Sequence, residues 1–353
     1  NAQGKLKTEQ KPVYTADEIG AVPQTRTINK KPLSADVTLT GEDIKVTGSD
    51  ETTIHTRLSE ITNPNLLDNW YFVGGGETGQ FPINQRGRTE YTGDVYGIDR
   101  WRGIYGGEKV TLKNSWSSFE FSGNQGVKQE FDKDVLTAIS GNYCTISIIW
   151  RLFSGSYANF GVVVNGEAKL IPPIVVSENF VLTSLTLDLS AVSALSGYMS
   201  ISGDGVIDAI ACKLEVGRVQ TLAHQENGKW VLNEIPDYGE QLAKCQRYYC
   251  TSYQNGSVGT PEKYLNEIVM TAISQINFST REIQFPQTMR TTPVVTFYDP
   301  VTGNVGKAAK AGGGEVDIKT IIGGKNRMAF SCSSNNLDIG YEYYVHYSAS
   351  ADL

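Results

Sequence analysis

Residues 143–150 read YCTISIIW, and six of these eight residues are β-branched or aromatic. Residues of these types favour strands over helices. Similar short runs lie on both sides, separated by turns rather than by helical patterns, at residues 118–121, 160–164, 180–182 and 185–189. Strands at this spacing without helices between them predict a β-sandwich.

The composition also favours strands. The chain has 353 residues, with 36 glycines and 18 tyrosines but 4 methionines, and its length suggests two modest domains with connecting material. Strand-like runs recur near the end, at residues 283–298 and 327–332. We therefore predict a mostly β protein in which the last hundred residues form a second small β-sandwich.

Charge and cysteine content exclude several classes of protein. The 31 basic and 38 acidic residues give a net charge of −7, and no basic run could follow a phosphate backbone, so nucleic acid is not an expected partner. No apolar run approaches the length of a membrane span, which predicts a soluble chain. The five cysteines lack CxxC spacing, and residues 299–304 lack the spacing of an EF-hand, so we expect buried thiols, no metal and no cofactor.

Catalytic patterns are weak. The three histidines are not near a nucleophile-elbow motif, which argues against serine hydrolase chemistry. Polysaccharide hydrolysis needs two carboxylates that face each other across the scissile bond. The candidates are Asp94 with Asp99, or Glu130 with Asp132 and Asp134. Solvated turn carboxylates are far commoner than catalytic pairs, so the expectation is that the chain is not an enzyme.

The N-terminal region contains a repeat-like motif. Residues 14–21 (YTADEIGA) and 28–44 (INKKPLSADVTLTGEDI) resemble the shaft repeat of phage or prophage tail fibres. Lys30 stands where that family usually has glycine at a turn. The resemblance implies that residues 1–50 form part of a thin, intertwined homotrimeric shaft.

A short amphipathic helix is predicted next, over residues 51–62. Ile54, Leu58 and Ile61 recur at helical spacing and form one narrow apolar stripe. So short a helix is not stable alone, but three copies around an axis would bury the stripe. This favours a trimeric coiled-coil neck; the alternative is a helix that lies on the domain that follows it.

Both ends of the sandwich region carry further resemblances. Residues 65–72 (NLLDNWYF) and 210–218 (IACKLEVGR), with Thr221, resemble the paired first and last strands of carbohydrate-binding-module-like jelly rolls in phage tail proteins. This places a jelly roll at residues 63–218. Residues 241–249 (QLAKCQRYY) and 347–353 (YSASADL) resemble the entry and the end of a tail-fibre tip domain, which places a connector at 219–249 and the tip at 250–353.

Candidate binding residues follow from the chemistry of sugars, which pack on aromatic rings and hydrogen-bond to amide, carboxylate and Arg groups. One segment of the jelly roll has this character, with Tyr96, Arg100, Trp101, Tyr105 and Trp116. For Trp101, core packing is favoured over sugar binding, since the motif YGIDRW resembles one that packs the sandwich in the same family. The loops of the tip supply a second set of candidates, which comprises Tyr253, Tyr298, Asp299, Asn304, Asn326 and Arg327.

The resemblances imply a phage tail fibre that attaches the virion to a host surface receptor, a bacterial glycan, by multivalent binding. The implied partners are two further copies of the chain, a host glycan or outer-membrane receptor, and other tail or baseplate proteins on the N-terminal side. Its location would be the virion tail, after assembly in the host cytoplasm. Two alternatives remain: a structural spacer whose tip binds a protein receptor, and a surface-polysaccharide hydrolase.

Overall fold

The computed structural model describes residues 27–28, 31–32, 38–39, 43–44, 63–73, 81–104, 109–113, 118–191, 196–253, 267–279, 282–333 and 336–353. The chain divides into two compact units, Asn1–Thr62 and Asn63–Leu353. In the first unit, β1 (Thr27–Ile28) and β2 (Lys31–Pro32) form an antiparallel pair. Ile54, Leu58 and Ile61 lie outside the described residues, so the neck and the trimer stay predictions.

The second unit is mostly β, as predicted. Its first sheet contains β3 (Glu90–Thr92), β4 (Arg102–Gly103), β5 (Lys109–Lys113), β6 (Ser118–Glu130), β7 (Tyr143–Val164), β8 (Glu167–Leu170), β9 (Val181–Asp188) and β10 (Gly197–Val216). All its strand pairs are antiparallel, in the order β3-β5-β6-β10-β7-β8, with β4 beside β6 and β9 beside β7. A short helix, α1 (Lys133–Ile139), connects β6 to β7.

Two of the predicted strands, 143–150 and 160–164, are parts of the single strand β7, which has 22 residues. At about 3.3 Å per residue, Trp150 and Phe160 would be roughly 33 Å apart in a straight strand, but their ring centroids lie 6.1 Å apart, so the strand bends between them. Gly155 (φ 122°) and Gly205 (φ 112°) meet at the bend, where a Cβ on Gly155 would lie 1.7 Å from the carbonyl oxygen of Asp204. Only glycine fits there.

The first core is built around three buried tryptophans, Trp70, Trp101 and Trp150. Ile148 from the first half of β7 and Phe160 from its second half belong to this same core. The curved sheet therefore wraps around one core, which is consistent with the predicted jelly roll.

The two ends of the jelly roll pair with each other, as the motif resemblance implied. Leu66 and Phe72 donate backbone hydrogen bonds to the carbonyl groups of Leu214 and Ile210, both at 2.9 Å. The side chain of Asn65 strengthens this pairing, since its Nδ2 donates to the Cys212 carbonyl at 2.9 Å. Asn65 of the first motif thus has a structural role.

The segment predicted as a polar connector also completes the first core. Its hairpin, β11 (Ala223–Glu226) and β12 (Lys229–Leu232), follows the buried Leu222. Trp230 packs against the core, and its Nε1 donates to the Phe180 carbonyl at 3.2 Å. The first core therefore continues beyond residue 218, because Leu222 and Ala223 belong to it and Leu232 also packs against it.

Helix α2 (Tyr238–Gln246) begins at the N-cap Asp237 and leads into the second sheet. That sheet contains β13 (Tyr249–Thr251), β14 (Ile268–Thr271), β15 (Glu282–Gln284), β16 (Val294–Tyr298), β17 (Lys307–Lys310), β18 (Glu315–Gly323), β19 (Arg327–Cys332) and β20 (Glu342–Ser350). The strands β13, β14, β16 and β17 all pair antiparallel with β20. The second core lies on one face of this sheet.

A third, smaller cluster of Phe81, Ile83 and Cys245 packs where α2 meets the first sheet's loops. All five cysteines are buried thiols, which confirms that prediction. Within the described ranges, no helix is long and apolar enough to cross a membrane.

Candidate functional site

Alternate residues of β20 point away from the second core. Tyr343, Val345 and Tyr347 are buried in that core, so Tyr344 and His346 lie on the opposite side of the sheet. Cross-strand pairing adds residues from the neighbouring strands to that side, because directly paired residues share a face. We call this side of the sheet the tip face; its central residues are Tyr249, Tyr253, Tyr298, Tyr344, His346 and Ser348. The four tyrosines are partly exposed, whereas His346 and Ser348 are buried.

An aromatic group occupies one part of the tip face. The ring of Tyr253 lies edge-on to those of Tyr298 and His346, each with centroids 5.8 Å away. The hydroxyl of Tyr253 is 3.3 Å from that of Tyr249, and the hydroxyl of Tyr298 is 3.2 Å from that of Ser348. Burial raises the pKa of Tyr253, which keeps its hydroxyl protonated and able to donate.

Beside this group lies a pocket of about 730 Å³. Its walls are the turn 299–304 and the turn between β17 and β18, and its lining includes Ala309 and Tyr344. Asp299 fixes the first wall, since its Oδ1 accepts hydrogen bonds from the backbone nitrogens of Val301 (2.6 Å) and Thr302 (2.9 Å). We call this cavity the tip pocket.

Polar groups converge on the tip pocket. Asn304 Nδ2 donates to Glu315 Oε2 at 2.9 Å, and the Thr302 hydroxyl is 3.5 Å from the same oxygen. The second wall consists of Gly312, Gly313 and Gly314, all with positive φ and with open space where a Cβ would be. Their conformation requires glycine, and it leaves the backbone of the rim uncovered by side chains.

The tip pocket and the aromatic group adjoin each other. Tyr344 lines the pocket and lies two residues from His346 on the same face of β20, and Tyr298 directly precedes the lining residue Asp299. Together they offer aromatic rings, hydroxyls, an amide and a carboxylate on a β scaffold. Such a surface can bind a polar organic ligand without catalysing a reaction on it.

The structure separates the six predicted residues of the tip into two groups. Tyr253, Tyr298 and Asn304 come together at the tip face and the tip pocket. Asp299 lies beside them but is 1% exposed, so it is corrected to a structural residue that holds the turn 299–304. Asn326 and Arg327 are exposed near the other end of β18, about 26 Å along the strand from its first residue.

Two of the predicted residues of the jelly roll, Arg100 and Trp101, are buried. Trp101 is 0% exposed, and its Nε1 donates to the Asn69 carbonyl at 3.0 Å. Arg100 is 2% exposed; its Nε pairs with Asp68 at 2.9 Å, and its guanidinium lies 3.5 Å from the ring centroid of Tyr248. Arg100 is therefore corrected to a structural residue, because a buried side chain presents no surface to a ligand. Trp101 has the core role that its motif favours.

Tyr96 is partly exposed, and its hydroxyl donates to the Leu353 carbonyl at 3.1 Å. Tyr105 and Trp116 lie outside the described residues.

The carboxylates considered for hydrolysis have structural partners. Asp99 is buried and pairs with Arg86, and Asp132 caps α1. Asp94 and Glu130 both form ion pairs with the same two cations, those of Arg102 and Lys128. Asp134 is exposed and lies 3.8 Å from Arg247. In the part of the chain that the structure describes, no cluster of three or more His, Cys, Asp or Glu residues could hold a metal ion.

Sequence reasoning missed a polar surface on the first sheet. Lys128 pairs across the strands with both Arg102 and Ser200, and its Nζ lies 5.2 Å from the ring centroid of Tyr198. With Glu130, these residues form a charged and aromatic patch on the side of the sheet opposite the first core. Only strand register brings them together, so no local motif could have predicted the patch.

No protein-family model matches the chain, and no curated protein matches it. Solved structures that resemble part of it include the CBM22-1 xylan-binding domain from Paenibacillus barcinonensis Xyn10C, which is 15% identical and has a TM-score of 0.28 over 45% of this chain and 98% of that one. A family 29 carbohydrate binding module is 12% identical, with a TM-score of 0.24 over 36% of this chain and 86% of that one.

The enzymatically active domain of tailspike protein 4 from bacteriophage CBA120 is 11% identical, with a TM-score of 0.26 over 43% of this chain and 21% of that one. These three structures are thus two carbohydrate-binding modules and a phage tailspike domain. At these identities and TM-scores, the likenesses carry no inference about what this chain binds.

Proposed function

We propose that this chain is the receptor-binding part of a phage tail fibre, and that its tip face binds a bacterial surface glycan without cleaving it. One observation carries the proposal: the partly exposed rings of Tyr253 and Tyr298 adjoin a pocket that presents Asn304, Thr302 and Glu315. Aromatic rings beside convergent hydrogen-bonding groups are the arrangement that a sugar requires.

The physical basis of binding is a set of weak contacts on a rigid scaffold. A sugar ring packed on a tyrosine loses water from its apolar side, while its hydroxyls exchange water for amide and carboxylate partners. Each exchange contributes only about 1 kcal/mol. A homotrimeric fibre would present three such faces, and the resulting avidity would compensate for the weakness of one site.

The absence of catalysis is part of this proposal. The candidate carboxylates Asp94, Asp99, Glu130 and Asp132 are engaged in ion pairs or a helix cap, which supports a binding role over a hydrolytic one. Size-exclusion analysis of a bound polysaccharide tests this point directly, since a shortened polymer after incubation would refute it.

The test of glycan binding uses the full chain and paired variants. Asn304→Ala should weaken binding to the glycan that an array identifies by roughly fivefold to tenfold, because one hydrogen bond is lost. Asn326→Ala is the matched control, an exposed asparagine of the same domain outside the tip face. Likewise, Tyr298→Ala should weaken binding, whereas Phe153→Ala, which removes a ring that is 54% exposed in the jelly roll, should not.

Equal losses from Asn304→Ala and Asn326→Ala would refute the tip face as the site. Failure to bind any surface glycan or whole cells would refute receptor binding and favour a structural spacer. Light scattering tests the homotrimeric state of the proposed fibre, since a homotrimer has three times the chain mass of 38.6 kDa. A monomeric mass would contradict it.

A further inference from the structure

The charges around the tip pocket are predominantly negative. The pocket is lined by Asp299, Glu315 and Lys310 among its charged residues. Ion pairs and hydrogen bonds link this lining to four further charged residues, Lys307, Asp317, Asp338 and Glu342. The linked set comprises five carboxylates, Asp299, Glu315, Asp317, Asp338 and Glu342, and two ammonium groups, Lys307 and Lys310. The net formal charge is three negative units.

Both ammonium groups are already paired with carboxylates. Lys307 Nζ lies 2.9 Å from Asp317 Oδ1 and 3.6 Å from Glu315 Oε1. Lys310 pairs with Asp338, and its Nζ lies 4.2 Å from the ring centroid of Tyr341. An anionic ligand would have to compete with these carboxylates for either cation, and it would also face the excess negative charge.

The neutral groups of the tip pocket suit a different ligand. Asn304 and Thr302 both donate to Glu315, but the Asn304 amide has a second N–H, and the Thr302 hydroxyl and the Glu315 carboxylate have further lone pairs. These remaining donor and acceptor positions match the hydroxyl and acetamido groups of a sugar. Tyr344 and Val301 supply apolar contact. None of these groups needs a charge on the ligand.

We infer that the tip pocket selects uncharged glycans, built from neutral hexoses or N-acetylated sugars, over glycans that carry carboxylates or phosphates. This inference rests on the proposed function, since it names the ligand class of the same site. In solvent, each excess negative charge several ångströms from a ligand carboxylate weakens binding roughly twofold at low salt, so three should weaken it about tenfold. Screening reduces this difference as salt is added.

The experiment compares acidic bacterial polysaccharides with their carboxyl-reduced forms, in which each uronate has become the corresponding neutral hexose. Linkage and length are the same in both forms, so charge is the difference. Binding of the full chain is measured at 20 mM and 500 mM salt, alongside a set of naturally neutral polysaccharides. The expected result is binding to neutral and reduced forms about tenfold tighter than to native acidic forms at low salt, and within about threefold at high salt.

A charge-reducing double variant tests the cause. Asp317→Asn with Glu342→Gln keeps the size of both side chains and removes two of the five carboxylates, so discrimination at low salt should fall to about threefold or less. Glu167→Gln is the control, since it removes an exposed acid of the jelly roll, and it should leave discrimination unchanged.

The two levels of failure are distinguishable. Native acidic polysaccharides that bind as tightly as their reduced forms at low salt would overturn the inference and leave glycan binding intact. An unchanged preference in the double variant would also overturn it, because the preference would then not come from these charges. Binding to none of the polysaccharides would overturn the proposed function itself.

Discussion

Replacing Arg86 by leucine removes a side chain that joins the two sheets of the second unit. Arg86 is 6% exposed, and its Nη1 lies 2.9 Å from Asp99 Oδ1, next to the first sheet. On the other side it pairs with Asp352 and lies 3.7 Å from the ring centroid of Tyr249, which belongs to β13. Leucine cannot replace any of these contacts.

The size of the stability loss follows from the carboxylate of Asp99, which remains buried after Arg86 is replaced. Asp99 is 1% exposed and would keep only the two hydrogen bonds from Gln85, at 3.0 and 3.1 Å. An uncompensated buried charge costs about 3–5 kcal/mol, so we expect the free energy of unfolding of Arg86→Leu to fall by that amount at pH 7.5.

The loss of unfolding free energy in Arg86→Leu should depend on pH, and the direction of this dependence follows from the pKa of Asp99. Burial raises the pKa of Asp99 to about 6, although Arg86 acts to lower it. Without Arg86 the pKa rises further, so the folded variant holds a proton that the unfolded chain releases above about pH 4. The variant therefore keeps its stability at low pH and loses it as pH rises. At pH 5, where Asp99 is neutral, the cost should shrink to about 1–2 kcal/mol, from the lost cation–π and Asp352 contacts.

Urea denaturation followed by tryptophan fluorescence, for wild type and variant at pH 5.0 and pH 7.5, measures these differences. The contributions of other titrating groups to the free energy of unfolding cancel when wild type and variant are compared at the same pH. The double variant Arg86→Leu with Asp99→Asn should recover at least about 2 kcal/mol at pH 7.5, because the unpaired charge is gone. The same cost at both pH values, or no recovery in the double variant, would refute the reasoning.

Three further results are expected. Asn69→Ala should lower the free energy of unfolding by about 2–4 kcal/mol in the same assay, since Asn69 has φ 51° and its amide donates to two buried carbonyl groups at 2.8 Å. Gly155→Ala should leave little folded protein on size-exclusion chromatography, because its Cβ would overlap the Asp204 carbonyl at the bend of β7. The five buried thiols should not react with a thiol reagent until urea is added. Burial raises the pKa of Cys144 to about 11 and that of Cys250 to about 12, so neither is a thiolate at neutral pH. Rapid reaction in the folded state would contradict this burial.

The sequence predicted features that depend on neighbouring residues. β-branched and aromatic runs predicted the strands at 118–121 and 143–150, and the motifs at the two ends of the jelly roll predicted a pairing that the backbone hydrogen bonds confirm. Polar loop residues around 298–304 predicted Tyr298 of the tip face and Asn304 of the tip pocket. These predictions needed only local composition or a motif.

Burial of charged and aromatic residues could not be predicted in the same way. Arg100 and Trp101 read as a sugar-binding segment, but each is buried by partners distant in the chain: Tyr248 covers Arg100, and Asn69 accepts from Trp101. Likewise, residues 219–232 read as a connector, although their hairpin covers the first core.

The sequence alone therefore determined the mostly β character, the buried thiols and the tip loops as candidate positions, because side-chain alternation, β-propensity and turn chemistry are local properties of the chain. The tertiary structure alone decided which strands pair, and hence that Tyr298 lies opposite His346 and that Ala309 lies opposite Tyr344. A register shift of one residue would move every side chain of a strand to the other face, so the composition of the tip face depends on long-range pairing that no single segment specifies.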